Sequence, residues 1–221
     1  MMSRLLPSAV VAAEAFEDAP DTLLFPEEEA AVAGVGDGRR REFTTVRHCA
    51  RRALRGLGLQ PVPLVPGRWG APGWPDGVVG SMTHTRGYRA AAVARSTDVR
   101  ALGVDAEPHR ALGEGVLRTI SLPEERERQA GLERADASVC WDRLLFCAKE
   151  AVYKAWFPLT GIPLSGFRDV MVTFHPAGGT FDARVLGAGA GHTEAVLEEG
   201  RWIAAGDLLL TAVSLPPGPD V

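Results

Sequence analysis

Residues 138–158 read SVCWDRLLFCAKEAVYKAWFP, and this stretch predicts the longest helix of the chain, over residues 138–156. Its apolar residues recur at steps of three and four, which is the spacing of one face of an amphipathic helix. Pro158 and Gly161 follow and end the predicted helix, because neither residue readily continues one. The face turned toward the core is formed by Cys140, Leu144, Cys147, Ala151 and Ala155.

Shorter helices and strands are predicted on both sides of this helix. An acidic helix over residues 26–33 starts at Pro26, and the apolar spacing from Glu42 onward predicts a further helix that ends near Gly56. A loop rich in Pro and Gly follows over residues 61–77, and loops of that length often carry function. Strands are predicted at residues 78–82, 88–94, 99–104, 170–174, 181–186, 201–205 and 208–213.

The order of helix and then strands occurs twice, which predicts an α+β protein built from two similar halves. We expect an N-terminal half over residues 1–104, a C-terminal half over residues 105–215 and a frayed tail over residues 216–221. Gly206-Asp207 favours a hairpin turn between the last two strands. No repeat is apparent among individual residues, so the similarity of the halves rests on element order alone.

The composition is that of an ordinary globular protein. The chain has 221 residues, 46% of them hydrophobic, and a formal net charge of -4. This charge excludes a surface built mainly to bind nucleic acid or an anionic membrane. The three cysteines lack the spacing of a zinc site, which favours reduced thiols, and residues 1–11 lack the apolar run of a signal peptide. We therefore expect a cytoplasmic protein.

The segment GVDAE, residues 103–107, ends a β-rich run with two carboxylates separated by one residue. In an extended strand the side chains of Asp105 and Glu107 share a face. Two carboxylates on one face suit a hard cation such as Mg²⁺. Taken alone, the pattern is more typical of a solvated loop, so a metal site needs a third acid.

The long helix supplies a candidate for that acid. Glu150 and Lys154 are four residues apart and are therefore neighbours on the helix surface, as are Lys149 and Tyr153. An exposed Glu–Lys pair is the ordinary alternative. Two lysines beside a metal-binding acid are nevertheless what phosphoryl chemistry needs, because the charge on the phosphate oxygens has to be neutralised.

A third segment, WPDGVVGSMTHTRGY at residues 74–88, offers groups that suit a phosphate. A predicted strand leads into Ser81, Thr83 and His84 and then into a tight turn, which together provide hydroxyl and backbone donors. A structural histidine and a solvated arginine face are the alternative unless the fold brings the upstream cations to His84. Those cations are Arg39, Arg40, Arg41 and Arg47.

Together these segments resemble the 4'-phosphopantetheinyl transferases of the surfactin-synthetase-activating and enterobactin-synthetase type. The matching motifs are RRREFTTVRHCAR, WPDGVVGSMTHTRGY, GVDAE and FCAKEAVYKAWFP, which span most of the chain from Arg39 to Pro158. The resemblance implies two α+β halves in one chain, with coenzyme A in the cleft between them. It also implies transfer of the phosphopantetheine arm to a carrier-protein serine, with release of adenosine 3',5'-bisphosphate.

The resemblance assigns roles to the candidate residues as well. Glu150 would accept the proton of the carrier serine, and Lys149 and Lys154 would contact the pyrophosphate. Asp105 would join Glu150 and Lys154 as a catalytic residue. The ligands of Mg²⁺, or of Mn²⁺, would be Asp105, Glu107 and Glu150. The 3'-phosphate of coenzyme A would bind Arg39, Arg47 and His84, with Ser81 and Thr83 nearby.

The partners implied by the resemblance are apo acyl carrier proteins and the peptidyl carrier domains of polyketide and nonribosomal peptide synthases. No nucleic acid or membrane partner is expected, and a monomer is expected. Trp156, Phe157 and Met171 are candidates for the docking surface of the carrier. Relatives often have a lysine before the Trp-Pro pair, where this chain has Arg68. A coenzyme A-dependent acyltransferase and a non-enzymatic binding module are the alternatives, and a requirement for a metal would separate both from the transferase.

Overall fold

The computed structural model describes residues 1–19, 21–186 and 195–218, with backbone alone for residues 195–198. Within these ranges, no helix is both long and apolar enough to cross a membrane. The strands are β1 Val11–Ala15, β2 Val78–Thr85, β3 Tyr88–Arg95, β4 Ala101–Pro108, β5 Val170–His175, β6 Thr180–Val185, β7 Ala195–Ala205 and β8 Leu208–Leu215. The helices are α1 Pro26–Glu29, α2 Asp37–Gly56, α3 Val116–Ile120, α4 Pro123–Ala135 and α5 Trp141–Thr160.

The strands form two antiparallel sheets, and each sheet packs against one long helix. The first sheet has the order β1-β3-β2 and packs on α2, whereas the second has the order β4-β8-β7-β6-β5 and packs on α5. Strand β3 is buried on both faces: Ala91 and Val93 face α2, and Ala90 and Ala92 face the core between the sheets. The α+β class is confirmed, with a core shared by the two sheets.

Side chains of β2 join the two sheets. Ser81 Oγ accepts the amide N–H of Val104 at 3.0 Å, and Thr83 Oγ1 accepts that of Ala106 at 3.0 Å. Both amides belong to β4, which lies in the other sheet. The hydroxyls thus complete backbone hydrogen bonds that a pairing strand would otherwise supply.

A glycine sets the distance between β4 and α5. A Cβ atom on Gly103 would lie 1.9 Å from the carbonyl oxygen of Ala151, so only glycine fits where the strand crosses the helix. Asp105 lies two residues further along the same strand. The close crossing therefore brings Asp105 against the next turn of α5, where Lys154 lies.

The two halves share a residue-level repeat that was not predicted from the sequence. Helices α1 and α4 both begin with Pro-Glu-Glu, and the second glutamate of each, Glu28 or Glu125, is buried. Each of these glutamates binds the backbone N–H of the residue before its proline. Each also pairs with a buried cation on the following long helix, Arg51 or Lys149, which are 23 and 24 residues further along the chain.

Other differences from the sequence prediction have local causes. Helix α2 begins at Asp37, five residues before the predicted start, because its first turn is exposed and therefore lacks apolar spacing. Pro158 lies inside the last turns of α5, and Gly161 ends the helix in a left-handed conformation. Strand β1 and helices α3 and α4 were not predicted. Of the predicted tail, residues 219–221 lie outside the described residues, and the predicted boundary at 104/105 falls within β4.

Candidate active site

A cleft of about 280 Å³ lies between α2 and β2 on one side and α5 on the other. The loop between α2 and β2, residues 57–77, contributes its tip, Trp69 to Pro72, to the wall. The cleft therefore combines basic groups and one acid, Glu42, from the first half with groups of both charges from α5. The charged or hydrogen-bonding side chains on its walls include Arg39, Arg47, Ser81, His84, Glu150, Tyr153 and Lys154.

Asp105 is a buried acid behind this cleft, with only 4% of its surface exposed. Its Oδ1 accepts hydrogen bonds from Thr83 Oγ1 at 3.0 Å and from Lys154 Nζ at 2.6 Å. Its Oδ2 is buried without a hydrogen-bond partner among the described residues. A buried carboxylate oxygen without a donor is costly, which makes it a natural ligand for a cation.

Glu107 lies two residues further along β4 and is held by an arginine. Arg143 donates from Nη1 to Glu107 Oε2 at 2.9 Å. Burial raises the pKa of Glu107, and the negative charge of Asp105 raises it further, while Arg143 opposes both effects. Arg143 was not predicted, although it lies seven residues before Glu150 and hence on the same face of α5.

Glu150 reaches the cleft from α5. Burial raises its pKa, the charge of Lys154 lowers it and the charge of Asp105 raises it. The charge of Asp105 thus raises the pKa of both other predicted metal ligands. In the described part of the chain, however, no three acidic, histidine or cysteine side chains lie close enough together to hold a metal ion. Lys154 and Arg143 instead neutralise Asp105 and Glu107.

The oxygen donors nevertheless fit a hard divalent cation chemically. Carboxylate oxygens are the ligands that Mg²⁺ prefers. The unpartnered Oδ2 of Asp105 is the observation that supports this fit, because it provides a ligand atom that no described donor occupies. A cation at that atom would also reduce the repulsion that raises the pKa of Glu107 and Glu150.

The two lysines of the chain have different environments. Lys154 lines the cleft. Burial lowers its pKa, but the charge and hydrogen bond of Asp105, together with the charge of Glu150, outweigh burial and raise it. Lys149 is 1% exposed, and its Nζ donates to Ile120 O at 2.8 Å, Glu125 Oε2 at 2.7 Å and Phe167 O at 3.0 Å. All three donors of Lys149 are thus occupied by the protein, and it is not among the residues of α5 that line the cleft.

The side chains of Arg39 and His84 are in contact, which the predicted site for the 3'-phosphate requires. Arg39 Nη1 donates a hydrogen bond to His84 Nε2 and lies 3.4 Å from Glu42 Oε2. Burial lowers the pKa of His84, and the positive charge of Arg39 lowers it further. His84 is therefore neutral at pH 7 and holds the guanidinium of Arg39 at the edge of the cleft without neutralising it.

Arg47 is buried and is held by a backbone carbonyl. Its Nε and Nη2 donate to Leu64 O at 3.3 and 3.2 Å, and its guanidinium lies 3.5 Å from the centre of the Phe43 ring. Burial lowers the pKa of Arg47 to about 10, a shift that Glu28 opposes, so the group stays protonated at pH 7. No carboxylate of the described residues pairs with it within 4.0 Å. The charge faces the cleft uncompensated.

The remaining predicted residues are divided between the cleft and the core. Ser81 lines the cleft while bonding to β4, whereas Thr83 bonds to Asp105 and so belongs with the acidic group. Trp156 lies in the core and donates from Nε1 to Ile162 O at 3.0 Å. Phe157 stacks on Tyr153 in the cleft wall. Met171 is half-buried on β5, and Arg68 is exposed at the tip of the loop.

Comparison with known proteins gives the same family for both halves. Residues 27–94 match the 4'-phosphopantetheinyl transferase N-terminal domain, and residues 101–206 match the 4'-phosphopantetheinyl transferase superfamily. The chain is 54% identical to 4'-phosphopantetheinyl transferase Svp of Streptomyces mobaraensis, over 97% of this chain and 89% of that protein. It is 46% identical to Npt of Nocardia iowensis, over 97% and 99%. It is 30% identical to enterobactin synthase component D of Salmonella typhi, over 69% and 62%.

Proposed function

The chain belongs to the 4'-phosphopantetheinyl transferase superfamily and transfers the phosphopantetheine arm of coenzyme A to carrier proteins, and we propose that the cleft between α2 and α5 is its active site. One observation carries this proposal: the arginines of α2 and Lys154 of α5, which pairs with Asp105, lie on opposite walls of one cleft. Arg39, which pairs with Glu42, and Arg47, which has no carboxylate partner within 4.0 Å among the described residues, face α5. There Lys154 connects the cleft to the buried Asp105. Such an arrangement suits a substrate with phosphates at two places.

Coenzyme A binds with its 3'-phosphate on the basic side in this proposal. Arg39 and Arg47 contribute planar guanidinium groups, which bind phosphate oxygens at fixed angles. His84 orients Arg39 through their hydrogen bond. Lys154 lies on the opposite wall and provides a charged donor for the pyrophosphate. Lys149 takes no part, because its donors are occupied inside the protein.

Asp105, Glu107 and Glu150 would hold Mg²⁺, or Mn²⁺, in this proposal. A bound metal would supply charge neutralisation for the pyrophosphate. Asp105 provides the ligand atom that is already without a donor. Thr83 and Lys154 hold the Asp105 side chain through its other oxygen. The side chain therefore does not have to move to bind a cation.

The proton and the leaving group each have a defined destination. The carrier serine oxygen forms a bond to the phosphorus nearer pantetheine, while the bond from that phosphorus to the bridging pyrophosphate oxygen breaks. The electron pair leaves with adenosine 3',5'-bisphosphate. Glu150, whose carboxylate lies in the cleft wall, accepts the serine proton directly or through a water. Lys154 stabilises the charge that develops on the leaving oxygen.

The partners are apo carrier proteins, and we assign them to the acyl and peptidyl carriers of polyketide and nonribosomal peptide synthases. We further propose that the chain acts as a monomer, because both walls of the cleft come from one chain. The two halves meet at the strands that Ser81 and Thr83 join, which supports the division of the chain near the start of β4.

Acetyl-coenzyme A as donor tests the reaction, because the proposed bond cleavage leaves the thiol end unchanged. We expect an apo carrier to gain the whole acetylated arm in the presence of Mg²⁺, with adenosine 3',5'-bisphosphate as the second product. Intact-mass analysis of the carrier and chromatography of the nucleotide measure both. A coenzyme A-dependent acyltransferase would add only the acetyl group and release coenzyme A, and that result would overturn the proposal. A panel of apo carriers in the same assay identifies the preferred partner.

A further inference from the structure

Glu28 is fully buried behind the cleft and is not among the residues that line it. Its Oε1 accepts the backbone N–H of Leu64 at 2.8 Å. Its Oε2 accepts the backbone N–H of Phe25 at 3.0 Å and pairs with Arg51. Both oxygens of the carboxylate are thus used, and one of them reaches the loop that lines the cleft.

Leu64 attaches that loop to the body of the protein. Its side chain is fully buried in the core beneath α2. Its N–H binds Glu28, and its carbonyl oxygen binds Arg47 at 3.3 and 3.2 Å. One residue therefore connects the buried glutamate to the arginine of the proposed 3'-phosphate site.

The connection continues from Leu64 to the tip of the loop. Gly73 donates to Val65 O at 3.1 Å, and Gly67 donates to Ala71 O at 2.8 Å, so the two strands of the loop are joined. The tip, Trp69 to Pro72, lies in the cleft wall. Trp69 has a φ of 57°, a left-handed conformation that costs energy in a non-glycine residue and has to be held by its surroundings.

Resting on the proposed function, we propose that Glu28 is a positioning residue for the nucleotide end of coenzyme A. It fixes Leu64, and through Leu64 it fixes both the guanidinium of Arg47 and the loop that carries Trp69. Its loss should therefore weaken coenzyme A binding, although Glu28 itself does not touch the substrate, and should leave the chemical step intact.

Glu28→Gln and Glu29→Gln form a matched pair of variants for this test. Glu29 is the next residue of the same helix, but its side chain is exposed and pairs with Arg40 on the surface. We expect Glu28→Gln to weaken coenzyme A binding about tenfold, the effect of losing one hydrogen bond to a charged group, and to leave the rate at saturating coenzyme A unchanged. Calorimetry gives the affinity, and Glu29→Gln should match the wild type.

Trypsin cleavage after Arg68, which is exposed at the loop tip, reports the position of the loop itself. Glu28→Gln should accelerate this cut relative to the cut after Arg134, which is exposed at the end of α4. A merely structural role would change both cuts together. Equal coenzyme A affinities in Glu28→Gln and Glu29→Gln would overturn the inference.

Amide hydrogen exchange in the wild type keeps the inference testable if Glu28→Gln does not fold. Binding is reciprocal, so coenzyme A should slow exchange at the Leu64 amide, which Glu28 holds. Unchanged exchange at Leu64 in the presence of bound coenzyme A would overturn this inference but not the proposed function. A wild-type protein that does not bind coenzyme A would instead overturn the proposed function.

Discussion

Each half of the molecule contains a buried glutamate that pairs with a cation of the long helix and binds a distant backbone amide. In the first half, buried Glu28 pairs with Arg51 and binds the amide of Leu64, in the loop that lines the cleft. In the second half, buried Glu125 pairs with Lys149 and binds the amide of Val172 at 2.8 Å, within β5 of the large sheet. Glu28 therefore supports a loop, whereas Glu125 supports a strand.

This difference matches the charges that each half presents to the cleft. Arg47 of α2 is held by a neutral carbonyl and keeps its charge for a ligand. Lys154 of α5 is held by the carboxylate of Asp105. An arginine that is held by a neutral carbonyl suits substrate binding, whereas a fixed group of acids with one paired lysine suits chemistry. We infer that the first half mainly binds and the second half mainly catalyses.

Asp105→Asn should produce the largest effect, because it removes the charge that connects Lys154, Thr83 and the proposed metal. The substitution keeps the size of the side chain. We expect the transfer rate to fall about 10³-fold, comparable to the loss of a preorganised electrostatic group. Asp98→Asn, at an exposed position between β3 and β4, is the matched control. Intact-mass kinetics measure both, and an Asp105→Asn rate close to that of Asp98→Asn would remove Asp105 from the site.

Lys149→Met should affect stability rather than substrate binding. The change leaves Glu125 buried without its cation, and breaking a buried ion pair in this way costs about 3 kcal/mol. Urea unfolding measures the loss. Coenzyme A affinity should match the wild type under conditions in which the variant is folded, because Lys149 does not reach the cleft.

The two lysines of the chain, both on α5, allow the same distinction without mutation. In protein labelled with ¹³C-lysine, coenzyme A should shift the ε-methylene signal of Lys154 and leave that of Lys149 in place. A shift of the Lys149 signal as large as that of Lys154 would return Lys149 to the pyrophosphate site.

Arg47→Ala should weaken coenzyme A binding about tenfold, a smaller effect, because it removes charge-assisted hydrogen bonds to one phosphate. The same variant should also discriminate less than the wild type between coenzyme A and dephospho-coenzyme A, since the missing phosphate has lost its partner. Arg55→Ala, exposed on the same helix, is the control. Full discrimination in Arg47→Ala would exclude Arg47 from the 3'-phosphate site.

Local spacing was enough to predict the helix α5 and the two charged residues that it brings to the cleft. The four-residue step from Glu150 to Lys154 places both on one face of a helix, and the structure brings both to the cleft. The β-rich run before Asp105 likewise predicted a strand at residues 99–104, and β4 extends it past Glu107 to Pro108. These predictions depend only on the geometry of one element.

Contacts between distant elements could not be predicted in this way. Lys149 was expected at the pyrophosphate because the acid that binds it, Glu125, lies in α4, a helix whose charged sequence gives little apolar periodicity. The hydrogen bonds from Arg47 to Leu64 similarly depend on how the loop folds back onto α2. The Pro-Glu-Glu start shared by α1 and α4 was the available signal, since it marks both buried glutamates.

The rate of a single turnover at saturating coenzyme A tests the division between the two halves most directly. A binding defect disappears when the substrate saturates the enzyme, whereas a defect in the chemical step remains. We predict that Arg47→Ala then transfers the arm to an apo carrier at a rate within about threefold of the wild type, while Asp105→Asn stays slower by about 10³-fold. Recovery of Asp105→Asn at saturation, with Arg47→Ala still slow, would contradict the account.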